Sequence, residues 1–170
     1  MKQIKLYNVI FPIWMIMFLP PVIFISLIGN FIIDSLVIIA CFYVFKLANT
    51  QSNLKTFYKK SILKIWIFGF LSDFIGAALL LAVDIFDSYL QLPYELIKGI
   101  NYYPFSYPMA AIIILFAMAV SSIFIFILNY KFTFRKQIEE KKLKLKVAIT
   151  IAIVTIPWTF LLPTKWFFHG

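Results

Sequence analysis

Tyr130-Lys131-Phe132-Thr133-Phe134-Arg135-Lys136-Gln137-Ile138-Glu139-Glu140-Lys141-Lys142-Leu143-Lys144-Leu145-Lys146 is the stretch on which the fold turns. It crowds seven of the sixteen Lys and Arg residues between two apolar runs, Tyr107–Asn129 and Val147–Leu162. The stretch Lys46–Lys64 holds five more (Lys46, Lys55, Lys59, Lys60 and Lys64), again between apolar runs. Basic clusters bracketed by long apolar segments mark a protein that crosses a bilayer several times, with the cations in its connecting loops.

Composition agrees. Of 170 residues, 63% are hydrophobic and only 14% charged, whereas a soluble domain is nearer half apolar and a quarter charged. Twenty Phe residues contribute to an aromatic share of 19%, as expected where side chains face lipid or mark its interfaces. The net charge of +9 is read as a topology signal that favours anionic lipid headgroups, and not as a nucleic-acid footprint. Cys41 is the single cysteine and His169 the single histidine. An internal disulfide, a Cys-based metal cluster and most His-dependent catalysis are thereby excluded. No metal or cofactor is expected.

A membrane-crossing helix needs about 20 apolar residues. Five runs meet or approach that length: about 6–28, 31–45, 65–86, 107–129 and 147–162. The fold expected is a single all-α bundle of five membrane-spanning helices, with Gly29-Asn30 as a tight turn between the first two, preferred to a break at Pro20-Pro21, which would leave a short first span of only Leu6–Leu19. The run from Leu6 is too long for a secretory signal and no clear small-x-small cleavage site follows it, so it is read as a retained span. With five spans, both basic loops share one side, which the positive-inside rule makes cytoplasmic. The N-terminus, with Lys2 and Lys5, then lies inside and the C-terminus outside, in a cell (plasma) membrane.

The outer loop Asp87–Ser106 is rich in Tyr. Its segment Leu90–Ile97 reads as a short interfacial helix ended by Gly99. The plain role is an aromatic belt at headgroup level, the sharper one a lid over an outward pocket. No internal repeat is visible, which counts against inverted-repeat transporters.

Acids inside spans are the informative exceptions. Asp73 lies about 12 Å beyond Ile65 at roughly 1.5 Å per residue. Ser121 and Thr155 lie at matching depth on the fourth and fifth spans, with Ser72 and Ser122 adjoining. An intramembrane carboxyl costs about 2.5–3.5 kcal/mol on insertion scales, so it should face other helices and have partners. Gly69 and Gly76 would let helices approach closely nearby. Asp84 projects from the same face as Asp73 nearer the outer boundary, and Asp34 lies near that boundary on the second span. These residues form a candidate ligand, proton or ion site. The plain alternative is interfacial hydration for Asp34 and Asp84, and for Asp73 a protonated carboxyl that helps helices associate.

Enzyme motifs are absent: there is no Gly-x-Gly-Asp, no Ser–His pair and no phosphate loop. Phe126-Ile127-Leu128-Asn129-Tyr130-Lys131-Phe132-Thr133-Phe134-Arg135 resembles the Asn-x-x-x-Thr-Phe-Arg helix end of the GtrA-like membrane proteins. The resemblance, which covers ten of 170 residues, implies four spans and a part in moving lipid-linked sugars. Within the basic loop, Glu140 and Lys144 have the favourable i,i+4 order, so helices are expected to extend into the cytoplasm. Three functions from different classes follow. The first is a non-enzymatic accessory or transport-complex component with a protein partner or a second copy of itself. The others are a small transporter or ion pathway through Asp73 with Ser121 and Thr155, and a lipid-directed enzyme using Asp34 and Asp84.

Overall fold

The computed structural model describes residues 12–49 and 53–164. Among them every regular element is helical: α1 Ile13–Ile16, α2 Val22–Val44, α3 Leu54–Leu90, α4 Tyr94–Tyr102, α5 Pro108–Leu128 and α6 Lys141–Val154. A π-helical turn, Asn129–Thr133, extends α5, and a 3-10 turn, Trp158–Leu161, follows α6. Four helical segments are long and apolar enough to cross a membrane: Val22–Val44, Leu54–Leu90, Pro108–Thr133 and Lys141–Leu161.

The expected turn at Gly29-Asn30 is not there. Both residues lie inside the continuous helix α2, and the chain breaks earlier, at Pro20-Pro21. Proline has no N–H for the helix ladder and clashes with the preceding turn, whereas Gly and Asn only lower helix propensity. The end of the first expected span and the second expected span through Val44 thus fall in one helical segment, and the described residues hold four candidate spans in place of five. The start of the expected first span (residues 6–11), Lys2, Lys5 and the chain end from Lys165 through His169 lie outside the described residues.

The other boundaries shift by extension. The run 65–86 is the middle of α3, whose 37 residues reach about 55 Å at 1.5 Å per residue. That exceeds the roughly 30 Å of a bilayer's hydrocarbon core, and the surplus ends carry charge, Lys55, Lys59 and Lys60 at one and Asp87 at the other. The short outer helix forms at Tyr94–Tyr102 rather than Leu90–Ile97. Gly99 does not end it but lies buried within it, where an added Cβ would meet the Ala110 side chain at 2.6 Å. Gln91, in the left-handed conformation at φ 51°, ends α3 instead.

The two basic connections meet at one end of the bundle. Phe57 stacks on Phe134 there, and the Ser61 hydroxyl donates to Gln137 Oε1 at 2.9 Å. At the opposite end, Ile13 N–H donates to Thr164 Oγ1 (3.0 Å), whose hydroxyl donates to the Asn101 carbonyl on α4 (2.8 Å). Pro12 and Thr164 thus share the α4 end.

Large apolar side chains point outward, among them Phe24, Ile25, Ile28, Leu36, Ile112, Phe116 and Ile153. That is the reverse of a soluble core and suits lipid contact. Lipid removes most hydrophobic gain between helices, so close packing of small residues and polar bonds must hold the bundle. Gly76, Ala77, Ala110, Ala117, Ala148 and Ala152 are accordingly buried between helices, and Ser122 Oγ donates to the Ala152 carbonyl across α5 and α6 (2.9 Å). Two apolar clusters result. One lies at the basic end around Ile38, Phe57, Ile65, Phe134 and Ile151, the other at the α4 end around Trp14, Leu80, Ile100, Ile114 and Phe160.

Candidate functional site

A cavity of about 100 Å³ opens between α2, α3 and the end of α6, lined among others by Asn30, Asp34, Gly69, Asp73, Thr155 and Trp158. Asp34 comes from the middle of α2 and is 3% exposed; Asp73 comes from the middle of α3 and is 6% exposed. Gly69 stands one turn from Asp73, and its missing side chain makes room for Asp34, whose Oδ2 lies 3.7 Å from where a Cβ would be. Asp73 Oδ1 is buried without a hydrogen-bond partner.

The end of α6 adds to this. Pro157 has no N–H to offer the Ile153 carbonyl four residues back. The Trp158 N–H donates to the Ile156 carbonyl (2.7 Å) and so does not continue the ladder to Val154. The helix ends where Val154 and Thr155 line the cavity, and a helix C-terminus carries roughly half a negative charge. No Lys, Arg or His is among the described residues lining the cavity. Two carboxyls and the negative end of a helix dipole share one small space.

Below the cavity, toward the basic end, each contributing helix places a buried isoleucine one turn away: Ile38 beneath Asp34, Ile65 beneath Gly69 and Ile151 beneath Thr155. All three are at most 1% exposed and belong to one apolar cluster. The cavity is therefore floored on that side. Asn30 and Trp158 extend its lining toward the α4 end.

The other sequence-chosen residues are placed as follows. Thr155 lines the cavity, its hydroxyl donating to the Ile151 carbonyl at 2.9 Å. Ser72 donates to the Phe68 carbonyl on its own helix (2.6 Å). Ser122 joins α5 to α6, as described. Ser121 is buried with an unpartnered hydroxyl, jammed against Gly76 of α3, and does not line the cavity. Asp84 accepts from Asn101 Nδ2 at 2.9 Å near the α4 end, where burial, then Asp84 and Tyr94, push the Tyr102 phenol above its ordinary range. Asp34 is not at a boundary, as the misplaced turn implied, but near mid-helix beside Gly69 and Asp73.

Sequence reasoning missed a second polar set, at the basic end. Asn129 Nδ2 donates to the Ile125 carbonyl (2.9 Å), Thr133 Oγ1 to Asn129 Oδ1 (2.8 Å), and Gln137 Nε2 to the Thr133 carbonyl (2.9 Å). The four-residue spacing of these three polar residues was the available signal.

Comparison with known proteins finds no matching family model, no similar curated protein and no similar solved structure. The likeness to the GtrA-like helix end stays confined to residues 126–135.

Proposed function

We propose that the chain is a small multi-pass membrane component that takes up a proton or a small monovalent cation between Asp34 and Asp73. The observation that carries this is the one-signed lining of the cavity: two buried carboxyls, one with an unpartnered oxygen, at the negative end of α6. Carboxyls inside a membrane normally pair with one another or with a cation, or mark a proton route, and interrupted helices with free carbonyls are a recurring cation ligand there. The space is small, and a monovalent ion with a few waters fits it.

The isoleucine floor favours a blind site entered from the α4 side over an open pore. That suits a component which couples to or senses an ion gradient, including an accessory subunit of a transport complex in the cell membrane. The basic connections then face the cytoplasm and α4 the outside. An enzyme built on Asp34 and Asp84 draws less support, since Asp84 is bonded to Asn101.

Cation binding by the detergent-purified protein tests the proposal. Wild type should retain sodium-22, or take up a proton from lightly buffered medium as read by a pH-sensitive dye. Asp73→Asn and Asp34→Asn should abolish the response while eluting as folded protein. Equal responses from wild type and both variants refute it.

A further inference from the structure

At the basic end, Tyr130, Lys131, Phe132, Arg135 and Lys144 line a surface cavity of about 420 Å³, within the range of about 300–1,000 Å³ usual for ligand sites. Three cations and two aromatic rings face it, and no carboxylate is among its lining residues.

The scaffold beneath is rigid. Asn129, Thr133 and Gln137 form a ladder of side-chain bonds on the inner face, each residue at most 8% exposed, and Ser61 of α3 donates to the Gln137 end of it. This ladder accompanies the widening of the helix into a π turn at Asn129–Thr133. Such turns are rare and are found frequently at functional sites. Lys131 and Arg135, also four residues apart, emerge exposed on the other side. Lys144 of α6 is half-buried, with its ammonium 4.6 Å from the centre of the Tyr130 ring, so it is aimed and not free to sweep the solvent. Phe132, 58% exposed, borders the cavity.

The geometry points to a specific site for the phosphate headgroup of an anionic phospholipid, formed by Lys131, Arg135 and Lys144 and walled by Tyr130 and Phe132. A guanidinium offers a planar fork that matches two phosphate oxygens, and the two ammonium groups add point charges. The site lies where a spanning helix leaves the bilayer, at headgroup depth, beside an exposed aromatic ring that can contact the upper acyl chains. It differs from the diffuse attraction of Lys136, Lys141, Lys142 and Lys146, which are exposed and line no such cavity. The proposal is independent of the Asp34–Asp73 site.

The test is native mass spectrometry of the detergent-purified protein with phosphatidylglycerol or phosphatidylcholine added. Wild type should retain one phosphatidylglycerol in preference to phosphatidylcholine. Lys131→Gln, Arg135→Gln, Lys144→Gln together should weaken that retention by at least about tenfold, about 1.4 kcal/mol, since all three charged donors to the phosphate are removed. Lys136→Gln, Lys141→Gln, Lys142→Gln together remove the same charge outside the cavity and should leave retention within about twofold, a few tenths of a kcal/mol. Equal weakening by both sets, or by neither, overturns the site. Retention of soluble glycerol 3-phosphate as firmly as the lipid would replace the lipid with a free phosphate ligand and overturn the assignment as well.

Discussion

Two glycines on one face of α3 offer a direct test of the packing and of the cavity together. Gly69 and Gly76 are seven residues apart, about two helical turns. An added Cβ at Gly69 meets nothing closer than Asp34 Oδ2 at 3.7 Å, an ordinary contact, and it projects toward the cavity. At Gly76 the same atom collides with Ser121 Oγ and comes within 3.1 Å of the Ala117 carbonyl and 3.2 Å of Phe160 Cε2. Alanine is favoured over glycine in a helix by about 0.8–1.0 kcal/mol, while overpacking costs about 1–3 kcal/mol. The serine hydroxyl can rotate away; the Ala117 backbone cannot. Gly76→Ala should therefore destabilise the bundle by up to roughly 2 kcal/mol net. Gly69→Ala should be neutral or up to about 1 kcal/mol more stable, yet lose cation response because its methyl occupies the site. Ser121→Ala removes an unpartnered buried hydroxyl and the first clash, so it should be harmless alone and should partly rescue Gly76→Ala. Reversible unfolding in mixed micelles reads the stabilities, and the cation-binding assay reads the response. If Gly76→Ala matches wild type while Gly69→Ala unfolds easily, the assignment of the two glycines' surroundings is wrong.

Other expectations follow from single contacts. Thr164→Val removes the hydroxyl that joins Ile13 N–H to the Asn101 carbonyl and should cost about 1–3 kcal/mol, seen as faster amide exchange at 13–17 and in α4. Thr133→Val takes the donor from Asn129 Oδ1 and should cost a similar 1–3 kcal/mol or so; unchanged stability would show that water replaces the bond. Ile65→Ala with Ile151→Ala opens the floor of the cavity and should produce a constitutive proton leak, whose absence would argue that the floor is not the barrier. Cys41 is 2% exposed, so a maleimide should spare it in folded protein. On a Cys41→Ala background, Lys98→Cys and Lys136→Cys should label from opposite sides of the membrane; labelling from one side would exclude the four-span arrangement.

Much of the architecture was legible because it depends on period and on solvent. A run such as Pro108–Leu128, with no charge in it, has few alternatives to a spanning helix, and Lys131 and Arg135 mark its C-terminal end whatever the neighbours do. The Gly29-Asn30 boundary was misread because span length was weighed above the missing N–H: a break at Pro20-Pro21 leaves only Leu6–Leu19 before it, yet only the prolines lack the donor that a helix requires. Asp73 and Thr155 were identified from depth along the chain alone. Asp34 was noticed but assigned the wrong depth, and the Asn129–Thr133–Gln137 ladder was not noticed, since apolar periodicity drew attention away from a polar one.

The sequence by itself determined an all-helical chain with runs apolar enough to cross a membrane, which basic loops share an end, and the burial of Asp73. Depth is a one-dimensional property, and a chain read in order supplies it wherever the helix breaks are placed correctly. Adjacency is not. Only the tertiary structure decided that Asp73 meets Asp34 rather than lining up with Asp84. It also set Ser121 against Gly76 rather than in the cavity, and brought Lys144 over Tyr130 to complete a basic pocket with Lys131 and Arg135. Rotation of each helix about its own axis is set by small-residue packing and interhelical polar bonds, which no periodicity within one segment reveals.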